Sequence, residues 1–366
     1  MNKLYQNLQH LLDKSSVELG SVGLMARIES RDLVWNGVSK EFKKSDVERG
    51  FYICSLSKSF TAVAILRLVE EGMVTLDDVI ADHLNGVDCY KNITLRQLLN
   101  HSSRIQDYVL LDGYLNDVYA SPENPWTDSY IIDRVKKLKL VDPSDFSSHY
   151  SNTGYLLLKQ ILELVTGEKY HSLLSRLVIE PMGLKRTYVA TELDESLSLL
   201  PAFDNGFKRF GGDIRPQYHP GWCATGVVVS TLEEICLFYS KILSGELISE
   251  SSLSAMLDGI ETPYWLGPND APYNGKLSNG LGMKICRKFS VGKMEAFYGH
   301  GGDCPGYSVW AGCADIGNER ITCCVVSNRE LESPPEVIWM KLIENVLSQQ
   351  NGDHNSGSSA ASIVTP

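Results

Sequence analysis

The segment CSLSK at residues 54–58 contains a pair of residues suited to nucleophilic catalysis. Ser55 and Lys58 are three positions apart, so a helix would place both side chains on one face. In an apolar environment the neutral amine of a lysine becomes more accessible, and such an amine can accept the proton of an attacking serine. At a helix N-terminus the backbone N–H of Ser55 would be free to bind an oxyanion. Ser57 and Ser59 lack a lysine three positions later.

Two further motifs lie far from this pair in the sequence. Tyr150 and Asn152 form a Tyr-x-Asn pair just before a strongly helical segment, and they supply a phenol and an amide. His300, followed by Gly301 and Gly302, lies between two β-type runs. Glycines in strands often mark a bulge or a place where a ligand approaches the backbone. Taken singly, all three motifs have structural alternatives: capping patterns for the first two and a hairpin turn for the third.

The three motifs together resemble those of the penicillin-recognising serine hydrolases, which include class C β-lactamases, D-Ala-D-Ala carboxypeptidases, D-amino-acid amidases and esterases. That superfamily carries S-x-x-K, then Y-x-N, then K/H/W-x-G. The resemblance covers roughly residues 20–345 and includes five framework segments: LDD, ITLRQLLNHSS, EPMGL, GVVVST and GLGM, which begin at residues 76, 93, 180, 226 and 280.

The resemblance implies a role for each matching residue of the first two motifs. Ser55 would be the acylated nucleophile, and Lys58 would share its proton. Tyr150 would protonate the leaving group and later activate water. Because a free phenol ionises near pH 10, this role needs a cationic neighbour such as Lys58. Asn152 would anchor Lys58 and the substrate carbonyl.

In the third motif the sequence departs from part of the family. His300, Gly301 and Gly302 would border the substrate, and the backbone N–H of Asp303 would be the second oxyanion donor. In β-lactamases of this group the motif usually begins with lysine, whereas histidine is neutral much of the time near pH 7. We therefore expect carboxypeptidase, D-amidase or esterase chemistry rather than β-lactamase chemistry. The usual His-x-Ser-Gly loop also differs, because Arg104 replaces the glycine.

Hydrophobic periodicity outlines the elements that position these motifs. Helical patterns cover residues 2–14, 57–71, 154–166, 170–179 and a segment after 335, whereas β-type runs cover 22–28, 33–38, 225–229, 294–298, 307–311 and 320–326. We predict an α+β fold of the β-lactamase/transpeptidase type, with an antiparallel sheet flanked by helices. Residues 1–75 plus 206–350 would form the discontinuous sheet domain, and 76–205 an inserted all-helical domain. Residues 351–366 are predicted to be a disordered tail.

Composition excludes several classes of function. The chain has 366 residues, a formal net charge of −11 and 43% hydrophobic residues, as in ordinary globular proteins. It has no basic block, so we expect no binding to nucleic acid or to a membrane surface. Metal-binding and nucleotide-binding fingerprints are also missing, so we expect no metal and no cofactor. The expected partner is a small amide, peptide or ester substrate.

Nine cysteines and the N-terminal segment bear on the cellular compartment. An odd cysteine count without a CxxC pair predicts buried, reduced thiols, and Cys304 is expected to be incidental. The first 25 residues lack the apolar run of a secretion signal. We therefore expect a cytoplasmic serine hydrolase that acts on D-amino-acid amides or D-peptides. The alternatives are a carboxylesterase, an amide-forming transacylase of a biosynthetic pathway, and a non-catalytic acyl-binding sensor or scaffold.

Overall fold

The computed structural model describes residues 3–142, 148–225, 227–266, 275–287, 294–331 and 335–356. Its helices are α1 (Lys3–Glu18), α2 (Ser57–Glu70), α3 (Leu95–Leu99), α4 (Tyr114–Ala120), α5 (Asp128–Val135), α6 (Asn152–Thr166), α7 (Tyr170–Leu174), α8 (Leu232–Leu243), α9 (Glu250–Met256) and α10 (Glu336–Ser356). Its strands are β1 (Leu24–Glu29), β2 (Val34–Val38), β3 (Phe51–Tyr52), β4 (Tyr188–Ala190), β5 (Val227–Ser230), β6 (Ile260–Leu266), β7 (Gly275–Asn279), β8 (Lys284–Arg287), β9 (Ala296–Cys304), β10 (Tyr307–Ile316) and β11 (Glu319–Ser327).

Both ends of the chain contribute to one eight-stranded antiparallel sheet. The strand order is β2-β1-β11-β10-β9-β8-β7-β6. β1 pairs with β11 from Leu24 opposite Ser327 to Glu29 opposite Thr322. Helices α1 and α10 pack on one face of the sheet and α8 packs on the other. The predicted α+β architecture, an antiparallel sheet flanked by helices, is confirmed.

The central strands are apolar on both faces because each face covers a hydrophobic core. Ala26 of β1 and Val325 of β11 pack in the core beneath α1 and α10. Their neighbours Met25 and Val326 point the other way, into the core that α8 covers. Successive side chains of a strand alternate between its faces, so a strand buried on both sides has a continuous apolar run.

The helices of the middle segment pack around α2. α6, α7 and the π-helical turn Ser175–Ile179 all contact α2, which is buried around most of its circumference. A small sheet of order β3-β5-β4 adjoins the start of α2. One continuous core extends from these helices to the α8 face of the large sheet. The division of the chain at 75/76 and 205/206 stays a prediction.

Four structural details differ from the expectations. The segment predicted to be all-helical contains one strand, β4, which pairs with β5. β6, β7 and β8 were not predicted, because β7 and β8 are short and β7 (GKLSN) and β8 (KICR) contain few apolar residues. His300–Gly302 lies inside β9, and the turn to β10 comes after Cys304. α10 continues through Ser356, so residues 351–356 are helical rather than part of a disordered tail. Residues 357–366 lie outside the described residues.

Among the described residues, the model contains no helix with the length and apolar character needed to cross a membrane.

Candidate active site

Ser55 lies in the 3₁₀ turn Cys54–Leu56, which leads directly into α2. Cys54 has a φ of +49°, a left-handed conformation that residues with side chains rarely adopt. β5 holds the turn in place: Ile53 N–H donates to the Val228 carbonyl at 3.0 Å, and Val228 N–H donates to Ser57 Oγ at 3.1 Å. Because of this tight turn, Ser55 is half-buried at the start of the helix, whereas Lys58 is buried one helical turn later.

Two side chains lie within hydrogen-bonding distance of Ser55 Oγ. Tyr150 Oη donates to it at 2.8 Å, and Lys58 Nζ donates to it at 3.2 Å. Lys58 Nζ also donates to Asn152 Oδ1 at 2.7 Å and lies 5.0 Å from the centroid of the Tyr150 ring. The first two motifs, about 95 residues apart in sequence, therefore meet at one nucleophile. Ser151 caps α6 through its hydroxyl and so fixes the backbone between Tyr150 and Asn152.

Asp107 orients Asn152 and was not among the predicted site residues. Asn152 Nδ2 donates to Asp107 Oδ2 at 2.9 Å, which turns the amide oxygen towards Lys58. Burial raises the pKa of Asp107, although hydrogen bonds and the charge of Lys58 oppose this shift. Nothing local in the sequence marks Asp107, because its partner is 45 residues away.

The loop after α3 supports Tyr150. The His101 ring lies 4.3 Å from the Tyr150 ring between centroids, and His101 Nδ1 accepts the Ser151 N–H at 3.2 Å. Burial, with the nearby charges of Lys284 and Lys58, lowers the pKa of His101 well below its usual value, so the ring is neutral. Arg104 has a φ of +60°. Glycine adopts that conformation without steric cost, in agreement with the glycine usual in the resembling family.

The third motif approaches Ser55 from β9. β8 pairs with residues 296–299 of β9, and the segment that follows packs against the Cys54–Leu56 turn. A Cβ atom on Gly302 would lie 2.7 Å from the backbone nitrogen of Ser55, so only glycine permits this approach. The backbone of Gly302 is thereby brought beside the Ser55 N–H, and Asp303 lines the same cavity as Ser55. Ser308 Oγ donates to Asp303 Oδ1 at 2.5 Å.

His300 is buried and uncharged. Its exposed fraction is 3%, and its Nδ1 lies 2.5 Å from the Gly301 carbonyl oxygen. Burial, reinforced by the charges of Lys284 and Lys58, lowers the pKa of His300 well below the usual value for histidine. The expectation that this position lacks a permanent cation is therefore consistent with its surroundings.

Lys284 of β8 is a second lysine at the Tyr150 ring and was not predicted as a site residue. Its Nζ lies 5.2 Å from the ring centroid and donates to Asn279 Oδ1 at 2.6 Å. Burial and the charge of Lys58 lower the pKa of Lys284 to about 8. We call Ser55, Lys58, Tyr150 and Asn152 the helical wall of the site, and residues 300–304 with Lys284 the strand wall.

A disulfide between Cys54 and Cys304 joins the two walls. The predictions that all cysteines are reduced and that Cys304 is incidental are therefore wrong. The bond links the residue before Ser55 to the residue after Asp303. Its cysteines are 250 residues apart, so no spacing pattern could reveal the pairing. The other seven cysteines are free.

A cavity of about 230 Å³ lies between the walls. Ser55, Lys58, Asn152 and Asp303 reach it, and Glu330 adds a second carboxylate. Much of the remaining lining is aromatic or aliphatic: Tyr108, Val109, Tyr114, Leu115, Tyr119 and Tyr218. An apolar cleft with a few convergent polar groups is typical of a small-molecule site. Within the described ranges, no group of three His, Cys, Asp or Glu side chains is placed to hold a metal ion.

Sequence comparisons identify relatives of this chain. The family model described as Beta-lactamase matches residues 28–346. Penicillin-binding protein 4* of Bacillus subtilis (strain 168) is 25% identical over 320 residues, which cover 83% of this chain and 66% of that protein. The D-aminopeptidase of Brucella anthropi is 28% identical over 287 residues, which cover 76% of this chain and 49% of that protein. The chain thus spans about half to two thirds of the length of these curated relatives.

Solved structures share the fold over nearly their whole length. A D-stereospecific amidohydrolase from Streptomyces sp. superposes with a TM-score of 0.77 at 25% identity, covering 91% of this chain and 97% of that one. The D-amino acid amidase from Ochrobactrum anthropi SV3, complexed with D-phenylalanine, superposes with a TM-score of 0.76 at 23% identity, covering 96% and 99%. At 23% identity, the similarity to the amidase shows a shared fold and nothing more.

Proposed function

Because this chain belongs to the beta-lactamase family, we propose that it is a serine hydrolase that forms an acyl-enzyme on Ser55. The observation that carries the proposal is the position of Ser55 Oγ, 2.8 Å from Tyr150 Oη and 3.2 Å from Lys58 Nζ at the start of a helix. A nucleophile within hydrogen-bonding distance of groups that can take its proton is the basic requirement of covalent acyl transfer.

Acylation would proceed through a tetrahedral intermediate. Ser55 Oγ bonds to the carbonyl carbon of the substrate while its proton passes to Lys58 or Tyr150. The carbonyl π electrons move to the oxygen, and the backbone N–H groups of Ser55 and Asp303 stabilise that oxyanion. The electron pair on the oxyanion then re-forms the carbonyl bond as the C–N bond breaks, and Tyr150 protonates the leaving nitrogen, so the amine departs and an ester of Ser55 remains. Asn152 holds Lys58 in place throughout.

Deacylation would reverse the proton flow. Water attacks the acyl carbon and gives its proton to Tyr150, and the ester bond to Ser55 breaks as Oγ regains a proton. The product is a carboxylic acid. If an amine attacked instead of water, the same acyl-enzyme would yield an amide, so the acceptor distinguishes a hydrolase from a transacylase.

We propose small amides or peptides of D-amino acids as the substrates. The relatives named D-aminopeptidase and D-stereospecific amidohydrolase support this class. The cavity of about 230 Å³, with its aromatic lining, suits the side chain of one apolar amino acid. His300, Gly301 and Gly302 would border the substrate. Because His300 is neutral, this position offers no permanent cation for a substrate carboxylate, which disfavours β-lactams.

Covalent labelling tests the nucleophile directly. Wild type incubated with a fluorophosphonate should gain the mass of one adduct, whereas Ser55→Ala should gain none. Equal labelling of both proteins would refute Ser55 as the nucleophile. Thermal unfolding of Ser55→Ala serves as the control that the variant is folded.

A substrate panel then defines the reaction. D- and L-phenylalanine amide, p-nitrophenyl esters and nitrocefin should be compared, with and without an added amine acceptor. We expect turnover to be fastest on the D-amide, with the free acid as product. Preference for esters would indicate a carboxylesterase, and amide formation a transacylase. A single acylation without turnover would indicate a sensor.

A cytoplasmic location stays a prediction. The Cys54–Cys304 disulfide weighs against it. Structural disulfides are rare in the reducing cytoplasm of most organisms and persist in oxidising compartments.

A further inference from the structure

Proton transfer through Tyr150 requires positive charge nearby. A phenol that gives or takes a proton carries negative charge in one of its two states, and neighbouring cations stabilise that state. The third motif does not supply such a cation, because the buried His300 is neutral. His101, whose ring packs against the same tyrosine ring, is neutral for the same reason.

Lys284 lies on β8, the strand next to β9, and is level with the third motif across the sheet. It pairs with Gly299, the residue directly before His300. Its Nζ lies 5.2 Å from the centroid of the Tyr150 ring, nearly the same as the 5.0 Å for Lys58. A cation within about 6 Å of an aromatic centroid is attracted to the ring. Lys284 therefore brings a charge to Tyr150 from the strand wall.

The polar contacts of Lys284 fix its position. Nζ donates to Asn279 Oδ1 at 2.6 Å, and Asn279 Nδ2 donates in turn to Ser148 Oγ at 2.6 Å, two residues before Tyr150. The hydrogen-bond partner of the ammonium group is thus a neutral amide, which does not cancel its charge. The amide also ties β7 to the segment that carries Tyr150.

We propose that Lys284 is a positioning residue whose charge stabilises the phenolate form of Tyr150 during proton transfer. The inference rests on the proposed function, because it assigns Lys284 a part in the reaction at Ser55. Lys284 acts through Tyr150 and need not touch the substrate.

The surroundings of Lys284 determine how its charge depends on pH. Among the described residues, four titratable groups besides Tyr150 interact electrostatically with Lys284: Lys58 from α2, His101 from the loop after α3, His300 from β9 and Glu336 from α10. Burial and Lys58 lower the pKa of Lys284 to about 8, while Glu336 opposes the shift. The ammonium form therefore dominates at neutral pH and is lost at mildly alkaline pH.

The test compares Lys284→Met, which keeps the length of the side chain without its charge, with Lys284→Arg, which keeps the charge at all working pH values. With the best amide substrate, we expect Lys284→Met to lower kcat about tenfold at pH 7 with little change in KM, and to shift the acid limb of the kcat/KM profile upwards by about one pH unit. The Lys284→Arg variant should have the acid limb of the wild type. It should also remain active above pH 9, where the activity of the wild type declines.

A matched control distinguishes the effect of a positive charge beside the Tyr150 ring from the effect of losing any lysine charge. Lys276 on β7 is exposed and pairs with Glu261, so Lys276→Met should leave the profile unchanged. Thermal unfolding establishes that each variant is folded. If Lys284→Met does not fold, the Lys284→Arg profile decides alone: persistence of activity above pH 9 supports the proposal, and a wild-type decline contradicts it.

A role of Lys284 and the role of Ser55 give different outcomes when they fail. A folded Lys284→Met enzyme with the wild-type acid limb would overturn the role of Lys284 while leaving the Ser55 mechanism intact. A wild type that neither labels at Ser55 nor turns over any substrate would overturn both.

Discussion

The two walls of the active site are built in different ways. In the helical wall each functional pair is local: Ser55 and Lys58 lie within one helical turn, and Tyr150 and Asn152 lie at one helix N-terminus. In the strand wall the important contacts join distant segments through strand register and a disulfide. The helical wall keeps the residues of the resembling family, whereas the strand wall differs from β-lactamases at His300. The proton-transfer groups therefore lie close together in the sequence, whereas part of the charge around them comes from the distant strand that carries Lys284.

The largest effect should come from the helical wall, through Tyr150→Phe. Phenylalanine keeps the ring that packs against His101 but removes the hydroxyl that donates to Ser55. We expect kcat to fall about a hundredfold or more, the usual share of general acid–base catalysis. Steady-state kinetics on the D-amide measure this, with exposed Tyr130→Phe as the control. Unchanged turnover would remove Tyr150 from the mechanism and leave proton transfer to Lys58.

Gly302→Ala tests the strand wall at its closest approach to the nucleophile. The added Cβ would meet the Ser55 backbone nitrogen at 2.7 Å and displace one side of the oxyanion site. Loss of one oxyanion donor lowers kcat by about a hundredfold. Gly154→Ala is the matched control, because its Cβ would stay 3.6 Å from its nearest neighbours. Full activity of Gly302→Ala would show that β9 is not needed for oxyanion binding.

Asp107→Asn should have an intermediate effect, because it acts on the helical wall only through Asn152. The variant replaces a charge-assisted hydrogen bond to Asn152 Nδ2 with a weaker neutral one. We expect kcat to fall about tenfold with little change in KM, corresponding to about 1.4 kcal/mol. Asp133→Asn on the surface of α5 is the control. A loss as large as that of Tyr150→Phe would indicate that Asp107 takes part in the chemistry itself.

Cys304→Ala should have the smallest effect on turnover and a clear effect on stability. β9 remains paired with β10, and Ser308 still holds Asp303, so we expect kcat to change by less than about tenfold. The free energy of unfolding should fall by about 2–5 kcal/mol, as for other native disulfides. Urea unfolding measures this, with the exposed free thiol variant Cys89→Ala as the control.

A thiol count checks the disulfide independently. Unfolded wild type without reductant should expose seven free thiols, and reduction should add two. Nine thiols before reduction would mean that Cys54 and Cys304 are not bonded, and the strand wall would then be held by packing alone.

The residues of the helical wall were predictable because each pair is only two or three positions apart in the sequence. Ser55 and Lys58 are identified by their spacing, and α6 by its apolar pattern and by Gly167, which adopts the left-handed conformation typical of a helix end. The sheet was predictable where both of its faces are buried, as in β1, β10 and β11, because such strands have continuous apolar runs.

The strand wall was only partly predictable because its contacts depend on register. The contact of Lys284 with the Tyr150 ring follows from β8 pairing with β9 opposite Gly299, and β8 has no pattern that identifies it as a strand. Asp107 reaches Asn152 through a loop whose path no periodicity specifies. The side chains that tune the charge and orientation of the site are thus the ones that sequence patterns could not reveal.

The disulfide also changes the topology of the molecule. It closes residues 54–304 into a covalent ring, and the two segments outside the ring pair with each other as β1 and β11. A single proteolytic cut anywhere inside the ring therefore leaves one covalent molecule, whose two pieces separate on a gel only after reduction. A cut outside the ring, for example between β2 and β3, releases the N-terminal strands at once under denaturing conditions. The nucleophile and the proposed second oxyanion donor both lie in the ring, next to the bond that closes it.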